Sequence, residues 1–120
     1  MSRTRICTTA QLTPGLGAAA LLEGNRQVAL FRLHAALAGD AGTPGPDGTR
    51  YVAVDNIDPY TGAAVMSRGI VGETDGRPTI ASPLLKQKFF LDTGASLQGD
   101  DKALACYDVS IDDDVVYVEA

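Results

Sequence analysis

Glycine and proline interrupt this chain so often that it reads as many short segments joined by turns. Thirteen glycines and six prolines in 120 residues suit short strands better than a helical bundle. Ile6-Cys7-Thr8-Thr9 is rich in β-branched residues and reads as a strand, followed by a turn at Thr13-Pro14-Gly15. Ala18–Leu22 favours helix by propensity, but it is confined between Gly17 and Gly24 and is assigned to a strand, with a hairpin turn over 23–26. Gln27–Leu33 carries apolar residues on both alternating faces, so it is expected to be buried on both sides. Further strands are expected at 50–54, 69–72, 88–91, 105–111 and 115–118. In the fourth of these, Tyr107, Val109 and Ile111 share one face, while Asp108 and Ser110 take the other. The expectation is an all-β meander, one domain over 1–120, with two long loops projecting from one end. Residues 38–49 are almost entirely turn-forming and read as a flexible excursion at a hairpin tip.

Charge and cysteine content exclude several function classes. A net charge of −5 and a pI near 4.6 oppose general binding to a phosphate backbone, so no nucleic-acid partner is expected. No apolar run is long enough to span a bilayer. The first residues are basic but lead into no apolar stretch of signal-peptide type, which reads as a cytoplasmic protein. Cys7 and Cys106 are the only cysteines and His34 the only histidine. No zinc-ribbon or thioredoxin pattern can be built from them. Both cysteines are expected to be buried as small hydrophobes, and a disulfide between them requires the terminal strands to meet. His34 has no nucleophile or acid beside it in the sequence, and no Gly-rich phosphate fingerprint is present. Asp112-Asp113-Asp114 is too short for a calcium loop and reads as a turn.

Two loops carry the strongest signal. The first is Asn56-Ile57-Asp58-Pro59-Tyr60-Thr61-Gly62, with Met66-Ser67-Arg68-Gly69 after it. The second is Ser82-Pro83-Leu84-Leu85, running into Phe89-Phe90-Leu91-Asp92-Thr93-Gly94. A rigid proline directly follows Asp58 in the first and Ser82 in the second, fixing the loop backbone. Gly62 and Gly69 suit positive φ or close backbone approach, and Asp58 suits an Asx turn. This scaffold resembles the Rieske iron–sulfur domain, in which Cys-Pro-His and Cys-Pro-x-His loops hold the cluster. Here Asp58, Tyr60, Ser82 and Leu85 occupy the four ligand positions. In such a centre two thiolates hold one iron and two imidazoles the other. Leu85 has no lone pair, Ser82 and Tyr60 offer un-ionised hydroxyls, and Asp58 is a hard oxygen donor, so no cluster is expected on this chain. Leu85 and Tyr60 are expected to fill the space as an apolar plug.

The runs 56–72, 82–89 and 27–32 resemble more narrowly the small subunit of NAD(P)H-dependent assimilatory nitrite reductase, and the similarity extends over nearly the whole chain. The 38–49 loop looks longer than that family's. The resemblance implies a Rieske-like fold without cluster ligands and no catalytic residues on this chain. It also implies a large-subunit partner carrying FAD, an iron–sulfur cluster and sirohaem, which reduces nitrite to ammonium. Arg68, Arg77, Lys86 and Lys88 are expected to cluster around the loops and steer that partner. The partner-binding candidates are Asp58, Tyr60, Arg68, Lys86 and Lys88. The alternative is a Rieske-type ferredoxin-like electron carrier with unconventional ligands.

Overall fold

The computed structural model describes residues 3–119. Its strands are β1 (Arg3–Thr8), β2 (Gly17–Leu22), β3 (Arg26–Leu33), β4 (Thr43–Pro44), β5 (Arg50–Asp55), β6 (Ile70–Thr74), β7 (Arg77–Ala81), β8 (Lys88–Phe90), β9 (Cys106–Asp112) and β10 (Val115–Glu119). One helical turn, α1, covers Ala35–Ala38, and 3-10 turns cover Thr9–Gln11 and Met66–Arg68. The larger sheet runs β1-β10-β9-β5-β3-β2, with β4 alongside β5, and the smaller runs β6-β7-β8. The architecture is the all-β one that the turn-rich sequence predicts.

β3 and β5 are the shared wall of two cores. Successive side chains on a strand point to opposite faces. Ala29, Phe31 and Leu33 of β3 therefore join Val52 and Val54 of β5 in one core, together with Met66, Ile80, Phe89 and Leu91 from the smaller sheet and its loops. Val28 and Leu30 join Tyr51 and Ala53 in the other, closed by Val109, Val116 and Val118. This two-sided burial is what the unbroken apolar run in β3 predicts. β2 pairs along the whole of its length with β3, from Gly17 opposite Phe31 to Leu22 opposite Arg26. That pairing overrides the helical preference of its alanines. Asp113 and Asp114 take left-handed backbone (φ 50° and 61°) in the β9–β10 turn, the conformation a tight two-residue hairpin requires.

Residues 38–49 do connect antiparallel neighbours, β3 and β5, but much of the segment is anchored. Ala38 and Ala41 are buried, and Thr43–Pro44 pairs with β5. The Arg50 guanidinium donates to the carbonyl oxygens of Asp40, Ala41 and Gly42 at 3.2, 2.6 and 2.9 Å. Turn composition conceals these contacts because small residues pack well without looking apolar.

The cysteines depart from expectation. Cys106 is exposed and Cys7 half-buried, and both are free thiols. Cys106 lies one residue out of phase with Tyr107, so it shares the outer face of β9 with Asp108 and Ser110. A disulfide is ruled out by topology: β10 lies between β1, which carries Cys7, and β9, which carries Cys106.

Candidate functional site

The smaller sheet packs on the β3–β5 wall and brings two loops together. Loop 56–69 leaves β5, and loop 82–87 joins β7 to β8. Asn56 pins the first loop at both ends. Its carbonyl accepts from the Val65 and Met66 N–H groups at 3.0 Å each, and its side-chain oxygen accepts from the Ser67 N–H at 2.8 Å. Within the loop Asp58 organises an Asx turn, its Oδ1 accepting from the Tyr60 N–H at 2.9 Å. The turn closes where the Gly62 N–H donates to the Asp58 carbonyl at 2.7 Å, with Gly62 at φ 77°. Gly69 has the other reason for glycine: a Cβ there would collide with the Ala81 carbonyl oxygen. The second loop is closed by Ser82, whose N–H donates to the Gln87 carbonyl and whose carbonyl accepts from the Lys86 N–H, at 2.9 and 3.0 Å. Lys86 turns the chain through left-handed backbone at φ 60°.

The two loops are joined by one buried bond. The Ser82 hydroxyl donates to Asp58 Oδ2 at 2.6 Å, and the two residues are 1% and 0% exposed. The positions of the two cysteine ligands in the Rieske pattern thus hold a serine–carboxylate clasp. A third segment locks onto it. The Tyr60 hydroxyl donates to Asp100 Oδ2 at 2.6 Å and contacts Ser96 Oγ at 2.9 Å. Gln98 bridges to the exit of the second loop, accepting from the Lys88 N–H at 2.9 Å and donating to the Lys88 carbonyl at 3.2 Å. The hydrogen bond from Tyr60 holds the Asp100 carboxyl below its usual range. Tyr60 also packs its ring on Phe89 at 5.8 Å between centroids. Asn56 opens the first loop motif in the sequence, but its pinning role is not marked there, and the 96–100 segment does not stand out at all.

The donor set does not fit an iron–sulfur cluster. Asp58 spends both oxygens on the clasp and its turn, Ser82 and Tyr60 are committed to carboxylates, and Leu85 has nothing to coordinate with. Two expectations need correction. Half of the expected plug does not form: Leu85 is 60% exposed, whereas Tyr60 is half-buried and packs against the core beside Phe89, with the Asp58–Ser82 bond joining the two loops. Arg77 does not belong to the basic cluster. It begins β7, at the far end of the strand from Ser82, where it forms a two-pronged pair with Asp92 at 2.8 Å and stacks 3.5 Å from the Phe90 centroid. That hydrogen-bonded pairing lowers the Asp92 pKa and raises that of Arg77. Arg68 and Lys86 are exposed on the two loops, and Lys88 is exposed at the start of β8.

A small antiparallel sheet set on a larger curled one, with paired proline loops at their junction, defines a Rieske-type domain. The chain belongs to the family described as the Rieske-like [2Fe-2S] domain, which matches residues 3–119. Within it, the chain is 35% identical over 111 residues to the nitrite reductase (NADH) small subunit of Salmonella typhimurium, covering 92% of this chain and 91% of that protein. A crystal structure of the Mycobacterium tuberculosis protein proposed to be an NADH-dependent nitrite reductase small subunit superposes with a TM-score of 0.82. It is 40% identical, with 98% of this chain and 93% of that one covered. The Klebsiella oxytoca nitrite reductase [NAD(P)H] large subunit contains a segment 34% identical over 95 residues, covering 79% of this chain and 8% of that protein. A ferredoxin of carbazole 1,9a-dioxygenase from Nocardioides aromaticivorans shares the fold, with a TM-score of 0.74 at 24% identity.

Proposed function

We propose that this chain, as one Rieske-like domain over 1–120, is the non-catalytic small subunit of an NAD(P)H-dependent nitrite reductase working in cytoplasmic nitrate assimilation. It carries no cluster and docks on the large subunit through the face bearing 58–68 and 82–88. The observation that carries this reading is the Asp58–Ser82 clasp. It stands where cluster chemistry needs thiolates, yet it holds both loops in a defined shape. FAD, an iron–sulfur cluster and sirohaem belong, on this reading, to the large subunit, and every electron-transfer step to nitrite runs there.

The candidate residues divide by accessibility. Asp58 is buried and Tyr60 half-buried, so they shape the face. Arg68, Lys86 and Lys88 are exposed and available to orient an acidic partner surface. The Klebsiella match supports a shared workplace: a segment like this chain lies inside a polypeptide named as a large subunit. Fusion replaces association in solution with a high effective concentration, which benefits two parts that act in contact. The test is to express the large subunit with and without this chain. The expected result is lower yield and slower nitrite-dependent NADH oxidation without it. Equal yield and equal rate in both would overturn the proposal.

A further inference from the structure

Leu84 and Leu85 are 51% and 60% exposed at the tip of the second loop. Adjacent exposed leucines on an ordered loop are unusual in a surface that has no use for them. Six large hydrophobic side chains are exposed among the described residues. Four of them, Ile57, Ile70, Leu84 and Leu85, lie in or directly flank the two loops. Ile70 is 74% exposed and pairs across the smaller sheet with Ala81, one residue before the second loop begins.

The tip is held in place from within. Ser82 accepts from the Leu84 N–H at 3.4 Å through its hydroxyl oxygen, while the same hydroxyl donates to Asp58. The left-handed turn at Lys86 and the Gln87–Ser82 backbone bond close the loop behind the leucines. A loop whose backbone is already closed by hydrogen bonds loses less conformational freedom when it binds, which suits it to present an interface anchor. Lys86 and Lys88 follow the tip and are exposed, and Arg68 is exposed on the first loop, on a chain of net charge −5. The complementary surface is therefore an apolar recess with an acidic rim.

We propose that Leu84 and Leu85 are the apolar anchor that seats this chain in such a recess on the nitrite reductase large subunit, with Arg68, Lys86 and Lys88 setting orientation and encounter rate. This rests on the small-subunit reading and deepens it by moving the main binding contribution from the charges to the leucines. The occupant is the large subunit and not a second copy, because a like-charged loop would meet its own lysines and arginine across a two-fold interface.

The experiment measures the affinity of the cofactor-loaded large subunit for the wild-type chain, for the doubly substituted Leu84→Ser/Leu85→Ser chain and for Lys86→Glu/Lys88→Glu. Thermal unfolding and sedimentation of each chain alone accompany it. Burying two leucines corresponds to an affinity loss on the order of 100-fold when they are replaced, with the unfolding temperature unchanged because both side chains are exposed. The charge-reversed chain should bind more slowly, and wild-type association should slow with added salt. Wild-type binding that survives the leucine substitutions within about twofold (a difference too small for a buried anchor) overturns the anchor while leaving the small-subunit reading intact. A wild-type chain that self-associates, with the leucine variant monomeric and still binding normally, assigns the face to a second copy and overturns it too. Absence of any wild-type binding removes the small-subunit reading and the anchor with it.

Discussion

Replacing Ser82 with alanine should cost this fold far more than the loss of one hydroxyl suggests. In the native structure Asp58 is fully buried, and its Oδ2 has the Ser82 hydroxyl as partner at 2.6 Å. Removing the donor leaves Oδ2 facing an alanine methyl group, while Oδ1 keeps only the Tyr60 N–H. Stranding a buried acceptor costs about 1–3 kcal/mol, and the full burial of Asp58 puts the expected loss in the upper part of that range, about 2–3 kcal/mol. For a chain of 120 residues, an unfolding entropy of about 2.1 cal/mol/K per residue converts this to a fall in Tm of roughly 8–12 °C. Urea unfolding at neutral pH followed by circular dichroism reads the free energy, and a thermal scan reads the shift. Asp58→Asn/Ser82→Ala provides the internal control. A neutral amide needs the serine less, so the double variant should be more stable than the two single losses added together. A Ser82→Ala chain within about 2 °C of wild type would refute the reasoning, because it would mean that Asp58 is not held by this bond.

Two further substitutions probe the surrounding network. Tyr60→Phe removes the hydrogen bond that keeps the Asp100 carboxyl below its usual range. The Asp100 pKa should then rise toward an ordinary carboxylate value in an NMR titration. A lowered pKa stabilises the fold above the ordinary carboxylate pKa and is lost as pH falls, so the stability gap between Tyr60→Phe and wild type should shrink in acid. The Tyr107 hydroxyl donates to Asp55 at 2.6 Å, and burial, then Asp55, push its pKa up to about 12. A raised pKa stabilises the fold below the ordinary tyrosine value of about 10 and is lost as pH climbs from there. Tyrosinate absorbance should therefore include a late-titrating component that Tyr107→Phe diminishes.

Local pattern made the scaffold legible and left the cross-links invisible. The two-faced run in β3 and the alternation in β9 announce themselves because strand periodicity is written in consecutive residues. Gly62, Gly69 and the Asx turn at Asp58 are legible for the same reason, since each acts within its own loop or at its edge. The clasp is different. Asp58 and Ser82 are 24 residues apart, and Tyr60 and Asp100 are 40 apart. Nothing in either spacing states which side chain meets which. Leu85 shows that a ligand position need not be refilled by the residue that now occupies it. Here two short polar side chains join the loops and Tyr60 packs on Phe89, while the leucine faces solvent. Arg77 is near Ser82 in sequence only: five residues of extended chain carry it roughly 17 Å away, to the opposite end of β7.

The central claim is that the two former ligand loops form a docking face for the large subunit. Amide hydrogen exchange of this chain, alone and bound to the large subunit, tests it most directly. The account predicts that binding adds protection over 56–69 and 82–88, centred on Leu84 and Leu85, and leaves the β1–β10 edge unchanged. Protection confined to that edge, with both loops exchanging as they do in the free chain, would contradict it.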